Sequence, residues 1–375
     1  PSGAYLFLIF RFYNCINFYL KNSLSIYSFQ LLTLKHYMKS RKLFCLIFYL
    51  LPLVLFTACI KDDNEAMPKS TVSRLYVSNA DIDASVNNTL IFDPADQTKF
   101  PEPYKFNSQL PDGNGIQFDP YSGVVFQVSR VNKNIKTFKV NTDGSLVLKS
   151  SFIHEGLLSA RELAFDRSRD VLYVASNIDS AIYVYHNAST LKDNVLADKK
   201  LKLNGQPWGI HLDNDRLFVV IDQNRVEVQL FEAASALAVG PIVPTKKITV
   251  SGAKRLRGIT YSSSRDILIL TDIAEATLTG FDSDGSVHII TDASSKFTAS
   301  GAAISPSKTI KGALTGLGNP VDVAWDDREG KDLIYIAEKA RRKILVFKYA
   351  ATGNIAPSYI ADLTSSPEAI YLDAR

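Results

Sequence analysis

The sequence predicts an all-β fold, a six-bladed β-propeller whose N- and C-terminal strands share one blade. Three observations predict it: one short phrase recurs with a near-constant period, a second and a third strand can be read after each full copy, and the two chain ends hold complementary parts of one unit. Of the 375 residues, 46% are hydrophobic and 21% charged, so most of the chain has the means to build packed cores.

The phrase reads apolar, any, apolar, acidic. Its copies are Gly115–Asp119, Glu162–Asp166, Gly209–Asp213, Gly258–Ser262, Asp322–Asp326 and Ala369–Asp373, with last residues 47, 47, 49, 64 and 47 positions apart. A strand of the Leu-Tyr-Val-Ala type follows, as Val124–Val128, Val171–Ala175, Leu217–Val220, Ile267–Leu270 and Leu333–Ala337. Third strands are expected at Ile135–Val140, Ile182–Tyr185, Val226–Phe231, Leu278–Phe281 and Ile344–Phe347. Weaker fourth strands are expected at Leu146–Phe152, Lys199–Leu203, Lys246–Val250, Ser286–Thr291 and Ser358–Leu363. All are short, rich in β-branched and aromatic residues, and bounded by Asp, Asn, Gly and Ser, which favour turns. The wide spacing in one unit is placed at Ala293 to Gly318, and Asp143-Gly144 and Asp284-Gly285 are expected to turn third strands into fourth.

The last unit stops after its first strand, Ala369–Leu372. The region after residue 70 opens with Arg74–Ser78 and Thr89–Phe92, a second and third strand without a first. Joining the two ends completes a sixth blade and removes the exposed edges of an open array.

At Pro207–Asp213 through Phe231, and again at Pro320–Asp326 through Phe347, the chain resembles the NHL-repeat type of six-bladed propeller, with a looser likeness to the wider lactonase and YVTN propellers. The resemblance covers roughly residues 72 to 375, within a propeller domain placed at residues 71–375. It implies the fold and leaves activity to be argued from sites.

Ahead of the propeller the sequence changes character. Residues 1–58 carry six basic residues, Arg11, Lys21, Lys35, Lys39, Arg41 and Lys42, and no acid. Residues 1–37 are read as translated upstream of the true start at Met38, with an extra membrane-associating segment as the alternative. Residues 38–58 read as a signal peptide, with Lys39, Arg41 and Lys42 before an apolar run, Leu43–Phe56, that is short for a membrane span. Its end, Leu55-Phe56-Thr57-Ala58-Cys59, resembles the lipobox of bacterial lipoproteins, which implies lipidation at Cys59. With Cys15 and Cys45 removed in the leader, Cys59 would be the one cysteine of the mature chain. An ordinary signal peptide with Cys59 as a free thiol is the alternative. Residues 59–70 form a charged tether in which Lys61-Asp62-Asp63-Asn64-Glu65 resembles the export signal of Bacteroidetes surface lipoproteins. These features predict a lipid-anchored protein of the bacterial outer membrane, surface exposed, with the membrane as a partner through Cys59. The rest of the chain is slightly acidic and shows no basic stripe for nucleic acid.

Site candidates are the residues that break the repeat where each first strand enters the ring. Asn114, Arg161, Glu162, Trp208, Arg257, Asp322 and Glu368 are expected to converge at one mouth of the central channel, where mixed charge around an aromatic suits a protein, peptide or glycan ligand. A solvated ring of mutually compensating charges is the structural alternative. Calcium-dependent lactonases of six-bladed form hold one metal in the channel with Glu, Asp and Asn, and Asn114, Glu162 and Asp322 match part of that set by position alone. Zinc chemistry is disfavoured: of His154, His186, His211 and His288 only His211 falls on a first strand, and it is expected to pack between blades. Asn79, Asp81 and Asp83 alternate as in a calcium loop but lack its Gly and distal Glu. The recurring Asn79, Asn177, Asp222, Asp272 and Glu338 are read as caps of backbone amides. With no nucleophile elbow, zinc helix or phosphate loop, the sequence favours a ligand- or protein-binding envelope module without a cofactor; the alternative is a channel hydrolase for small esters or lactones, with calcium.

Overall fold

Six antiparallel sheets stand around one axis in the computed structural model, which describes residues 71–222, 225–275 and 284–375. Residues 1–70, Cys59 and the predicted leader among them, lie outside the described residues. We number the blades from the shared one. Blade 1 runs from its inner to its outer edge as Pro367–Ala374, Ser73–Asn79, Thr89–Phe92 and Tyr104–Phe106. The C-terminal strand pairs with Ser73–Asn79 from Ser73 opposite Ala374 to Asn79 opposite Pro367, which closes the ring as the sequence predicts.

The first strands of blades 2 to 6 are Gly113–Asp119, Ala160–Asp166, Pro207–Asp213, Leu256–Ser262 and Pro320–Asp326. Each packs beside the first strand of the next blade, so blade 3 faces blade 6 across the channel, blade 2 faces blade 5 and blade 1 faces blade 4. Second strands such as Val171–Ser176 and Leu333–Glu338 are buried throughout. A middle strand is covered by a neighbouring blade on both faces, which is why these runs are apolar without alternation. The buried apolar residues form clusters between successive blades, for example Tyr173, Val184 and Leu201 against Leu217 and Phe231 between blades 3 and 4. Each large side chain so buried contributes about 1.5–3 kcal/mol.

Blade 5 departs from expectation. Ser286–Thr291 pairs directly with Ile267–Asp272, so it is the third strand, and Lys308–Lys311 is the fourth. The strand expected at Leu278–Phe281 falls outside the described residues. Asp284-Gly285 therefore leads into a third strand rather than out of one. The extra length is divided between the connection before Ser286 and the segment 292–307. Within that segment Ala302–Ile304 pairs in parallel with Lys246–Val250 and caps the outer edge of blade 4. Asp193–Asn194 caps blade 2 and Gly240–Pro241 caps blade 3 in the same way, so each of these blades has its exposed edge covered by a loop of the next.

Candidate active site

Every first strand carries a β-bulge near its start. The register slips between Gly113 and Ile116, Ala160 and Leu163, Pro207 and Ile210, Leu256 and Ile259, and Pro320 and Asp322, and in blade 1 opposite Ser78 and Asn79, at Glu368. A bulge re-aims side chains out of the pleat. Here it sorts the predicted residues into two layers. Asn114, Arg161, Trp208, Arg257, Val321 and Glu368 form the mouth, and one residue deeper come Gly115, Glu162, Gly209, Gly258, Asp322 and Ala369.

The mouth residues hold one another. The Arg161 guanidinium lies 3.9 Å from the Trp208 ring centre and that of Arg257 lies 3.4 Å away. Arg161 Nη1 sits 3.8 Å from Glu368 Oε1 and donates to Asn114 Oδ1 at 3.5 Å, while Lys339 pairs with the other oxygen of Glu368. Arg257 Nη1 pairs with Asp222 at 2.6 Å. Burial lowers the pKa of both arginines, Arg257 to about 10, against the pull of Asp222 for Arg257 and of Glu368 for Arg161. The fold brings these residues together in a layer of largely paired charges, with Asn114, Arg257 and Glu368 buried and Arg161 and Trp208 partly exposed.

The second layer is different. Its two acids stand on the facing blades 3 and 6, and the remaining four positions are Gly or Ala. The glycines are required by packing. A Cβ on Gly115 would meet Leu163 N at 2.7 Å, on Gly209 it would meet Arg257 O at 2.3 Å, and on Gly258 it would meet the Cα of Asp322 at 2.5 Å. Neighbouring inner strands thus close in on the acids. Glu162 Oε1 accepts the Leu163 amide at 2.9 Å, and Asp322 Oδ2 accepts the Ile370 amide of the closing strand at 2.8 Å. Burial, and then the charge of Asp322, push Glu162 well above the usual carboxylate range. Burial, with a contribution from Glu368, pushes Asp322 up to about 7 against the amides it accepts.

Beyond the acids the channel widens into a cavity of about 350 Å³, the well, which none of the six mouth residues lines. Glu162 and Asp322 stand at one end of it. Its wall includes Gln117, His211, Thr260 and Tyr371, four of the residues at the "any" position of the repeat phrase. At the opposite end lie Asp119, Arg167, Ser262 and Asp327. His211, expected between blades, reaches from blade 4 to blade 5 and also lines the well. Burial lowers its pKa to about 4, so it is neutral near pH 7, and it bonds to the backbone of Tyr261.

The metal set expected from Asn114, Glu162 and Asp322 does not form. Asn114 belongs to the mouth layer, where its Nδ2 donates to Asp112 and its Oδ1 accepts from Arg161. Among the described residues no group of three or more His, Cys, Asp or Glu could hold an ion. Of the five expected caps, Asp272 accepts the amides of Lys254, Arg255 and Ala274 and Glu338 those of Gly318 and Asn319, whereas Asp222 pairs with Arg255 and Arg257 and Asn177 donates to the Pro207 carbonyl.

No protein-family model matches the sequence, and no curated protein does. Solved structures match over most of their length. A chain of the nidogen/laminin complex has a TM-score of 0.52 at 15% identity, covering 80% of this chain and 98% of that one. A putative 6-phosphogluconolactonase from Bacteroides fragilis gives 0.56 at 11%, covering 82% and 99%. The periplasmic gluconolactonase of Pseudomonas aeruginosa gives 0.50 at 11%, covering 81% and 99%. Such identities show a shared fold. They also correct the leaning toward a non-enzymatic binding module, because propellers described as gluconolactonases share this ring as fully as the nidogen/laminin chain does, so the fold gives no ground for excluding an enzyme. The chain is a six-bladed propeller structurally related to gluconolactonase-type propellers.

Proposed function

We propose that the well is the active site of a hydrolase that opens small lactones or esters. The observation that carries this reading is the pair Glu162 and Asp322, two carboxyls at one end of a ligand-sized cavity, Asp322 buried and Glu162 partly so, both held toward protonation. Glu162, raised by burial and by the charge of Asp322, is assigned as the general acid, and Asp322, titrating at about 7, as the base. Asp322 takes a proton from water as the water oxygen bonds to the lactone carbonyl carbon. Glu162 gives its proton to the ring oxygen as the C–O bond breaks. A hydroxy acid leaves, and the pair has exchanged one proton between its members. Gln117, Thr260 and Tyr371 line the wall where the hydroxyls of a sugar lactone would need partners. Hydrolysis of a panel of sugar and aliphatic lactones, followed by proton release, tests this. Glu162→Gln and Asp322→Asn should each lower kcat by at least about 100-fold with the fold retained. Inertness of the wild-type chain toward every lactone and ester would end the reading.

We further propose that the enzyme works in the bacterial cell envelope, anchored to the outer membrane by lipid at Cys59. The lipobox-like run at Leu55–Cys59 supports this, as does the periplasmic description of the Pseudomonas relative in fold. Cys59→Ser should move the protein from the membrane fraction to the soluble fraction. Unchanged membrane association would refute the anchor.

A further inference from the structure

We infer that the well is one-ended: ligands reach Glu162 and Asp322 from the face where the first strands end, and the Arg161–Trp208–Arg257 layer is a plug. Two independent observations carry this. At the mouth, two guanidinium groups lie against the Trp208 ring, at 3.9 and 3.4 Å from its centre, the arginines are tied to Glu368 and Asp222, and no residue of that layer lines the cavity. At the other end the well meets a groove. This second cavity, about 1060 Å³, is lined by Tyr121, Ser168, Arg169 and Asn214 among others, and it shares Asp119, Phe165, Arg167 and Leu212 with the well. The shared residues mark the junction between groove and well.

Arg167 stands at that junction. Its guanidinium lies 4.2 Å from the ring centre of Tyr121 and its Nε is 3.3 Å from Asp119 Oδ1, yet its side chain is 49% exposed. It narrows the passage without sealing it, so it sets the size of molecule admitted. Gln117, His211, Thr260 and Tyr371 then follow along the wall before the acids are reached. A ligand arriving by this route meets polar side chains first and the carboxyl pair last, which suits a compact, hydroxylated molecule and excludes polymers.

The route concerns the same well as the proposed active site, but its test reads chemical labelling and needs no turnover, so each can fail alone. Cys15, Cys45 and Cys59 all precede the propeller, so Thr260→Cys places in the wall a thiol whose peptide is distinct from theirs. Its reaction with iodoacetamide is followed by the mass of the peptide that carries it, in full-length protein with an unchanged melting curve. The thiol should react. Adding Leu212→Trp at the junction should slow labelling at least tenfold, and adding Arg167→Ala should speed it severalfold. Trp208→Ala or the milder Trp208→Phe at the plug should change the rate less than twofold. A thiol that does not react in the folded protein overturns the inference. So does a rate that rises tenfold when the plug is trimmed and ignores both junction variants.

Discussion

Glu162 and Asp322 occupy the same position of the first strand on two blades that face each other across the ring, and the charge of Asp322 raises the pKa of Glu162. Each also accepts a backbone amide, so neither is free to turn away. Two acids so placed that the charge of one raises the pKa of the other cannot both ionise without a large cost.

This pair makes stability depend on pH. The pKa of Asp322 rises from 3.8 to about 7 on folding, and that of Glu162 rises as well. A raised carboxyl pKa means the folded chain holds its proton longer than the unfolded chain. The stabilisation is therefore full below about pH 4 and is lost as pH rises through about 7. Asp322→Asn removes the titrating group. Its melting temperature should exceed that of wild type at about pH 8 and lose the advantage near pH 4, while activity is abolished. A variant that melts lower than wild type at both pH values would show that the carboxyl is not held protonated.

The glycines of the acid layer should tolerate no side chain. Gly209→Ala would place a Cβ 2.3 Å from the carbonyl oxygen of Arg257, which is backbone and cannot step aside. Overpacking of this kind costs about 1–3 kcal/mol. Urea unfolding of the variant should show that loss with an unchanged slope. Wild-type stability would mean that the inner strands can spread, and with them the acid pair.

Calcium should leave the protein's melting temperature unchanged and its chelation should leave lactone hydrolysis unchanged. Asn114 is committed to Asp112 and Arg161, so one of the three residues expected to hold the ion is already engaged elsewhere. A calcium-dependent rise of several degrees that disappears in Asp322→Asn would show that the mouth rearranges to bind the ion.

The blades could be read in the sequence because each strand is buried between neighbours and so written in apolar residues that recur at the blade spacing. Blade 5 could not, since Leu278–Phe281 has the composition of a third strand while Ser286–Thr291 takes its place beside Ile267–Asp272. Local composition does not decide which of two similar strands wins an edge. The mouth and acid residues were visible as breaks in the repeat. Their division into two layers was not, because it depends on the bulges, and a slip of one residue reverses which side a residue faces. Gln117, His211, Thr260 and Tyr371 left a signal that was available: they sit at the one variable position between two apolar ones, where an inner strand turns toward the channel.

Ring closure ties stability to the site. The strand Pro367–Ala374 pairs along the whole of Ser73–Asn79, Val72 and Arg375 exchange backbone hydrogen bonds, and Arg328 of blade 6 donates to the carbonyls of both. Ala369 and Ile370 are buried, and the amide of Ile370 is one that Asp322 accepts. Truncation after Ser366 therefore removes the inner strand of blade 1, bares the apolar faces of blades 6 and 2, and deprives Asp322 of a hydrogen bond. Each large side chain lost from the core is worth about 1.5–3 kcal/mol, against a net stability of about 5–15 kcal/mol. The truncated chain should aggregate or lose its cooperative melting transition where the full chain is soluble. The milder Ile370→Ala should keep the fold and lower the melting temperature, since it shortens a buried side chain and leaves the backbone pairing intact. A truncated chain with the melting curve of the intact one would mean that the ring closes without its last strand.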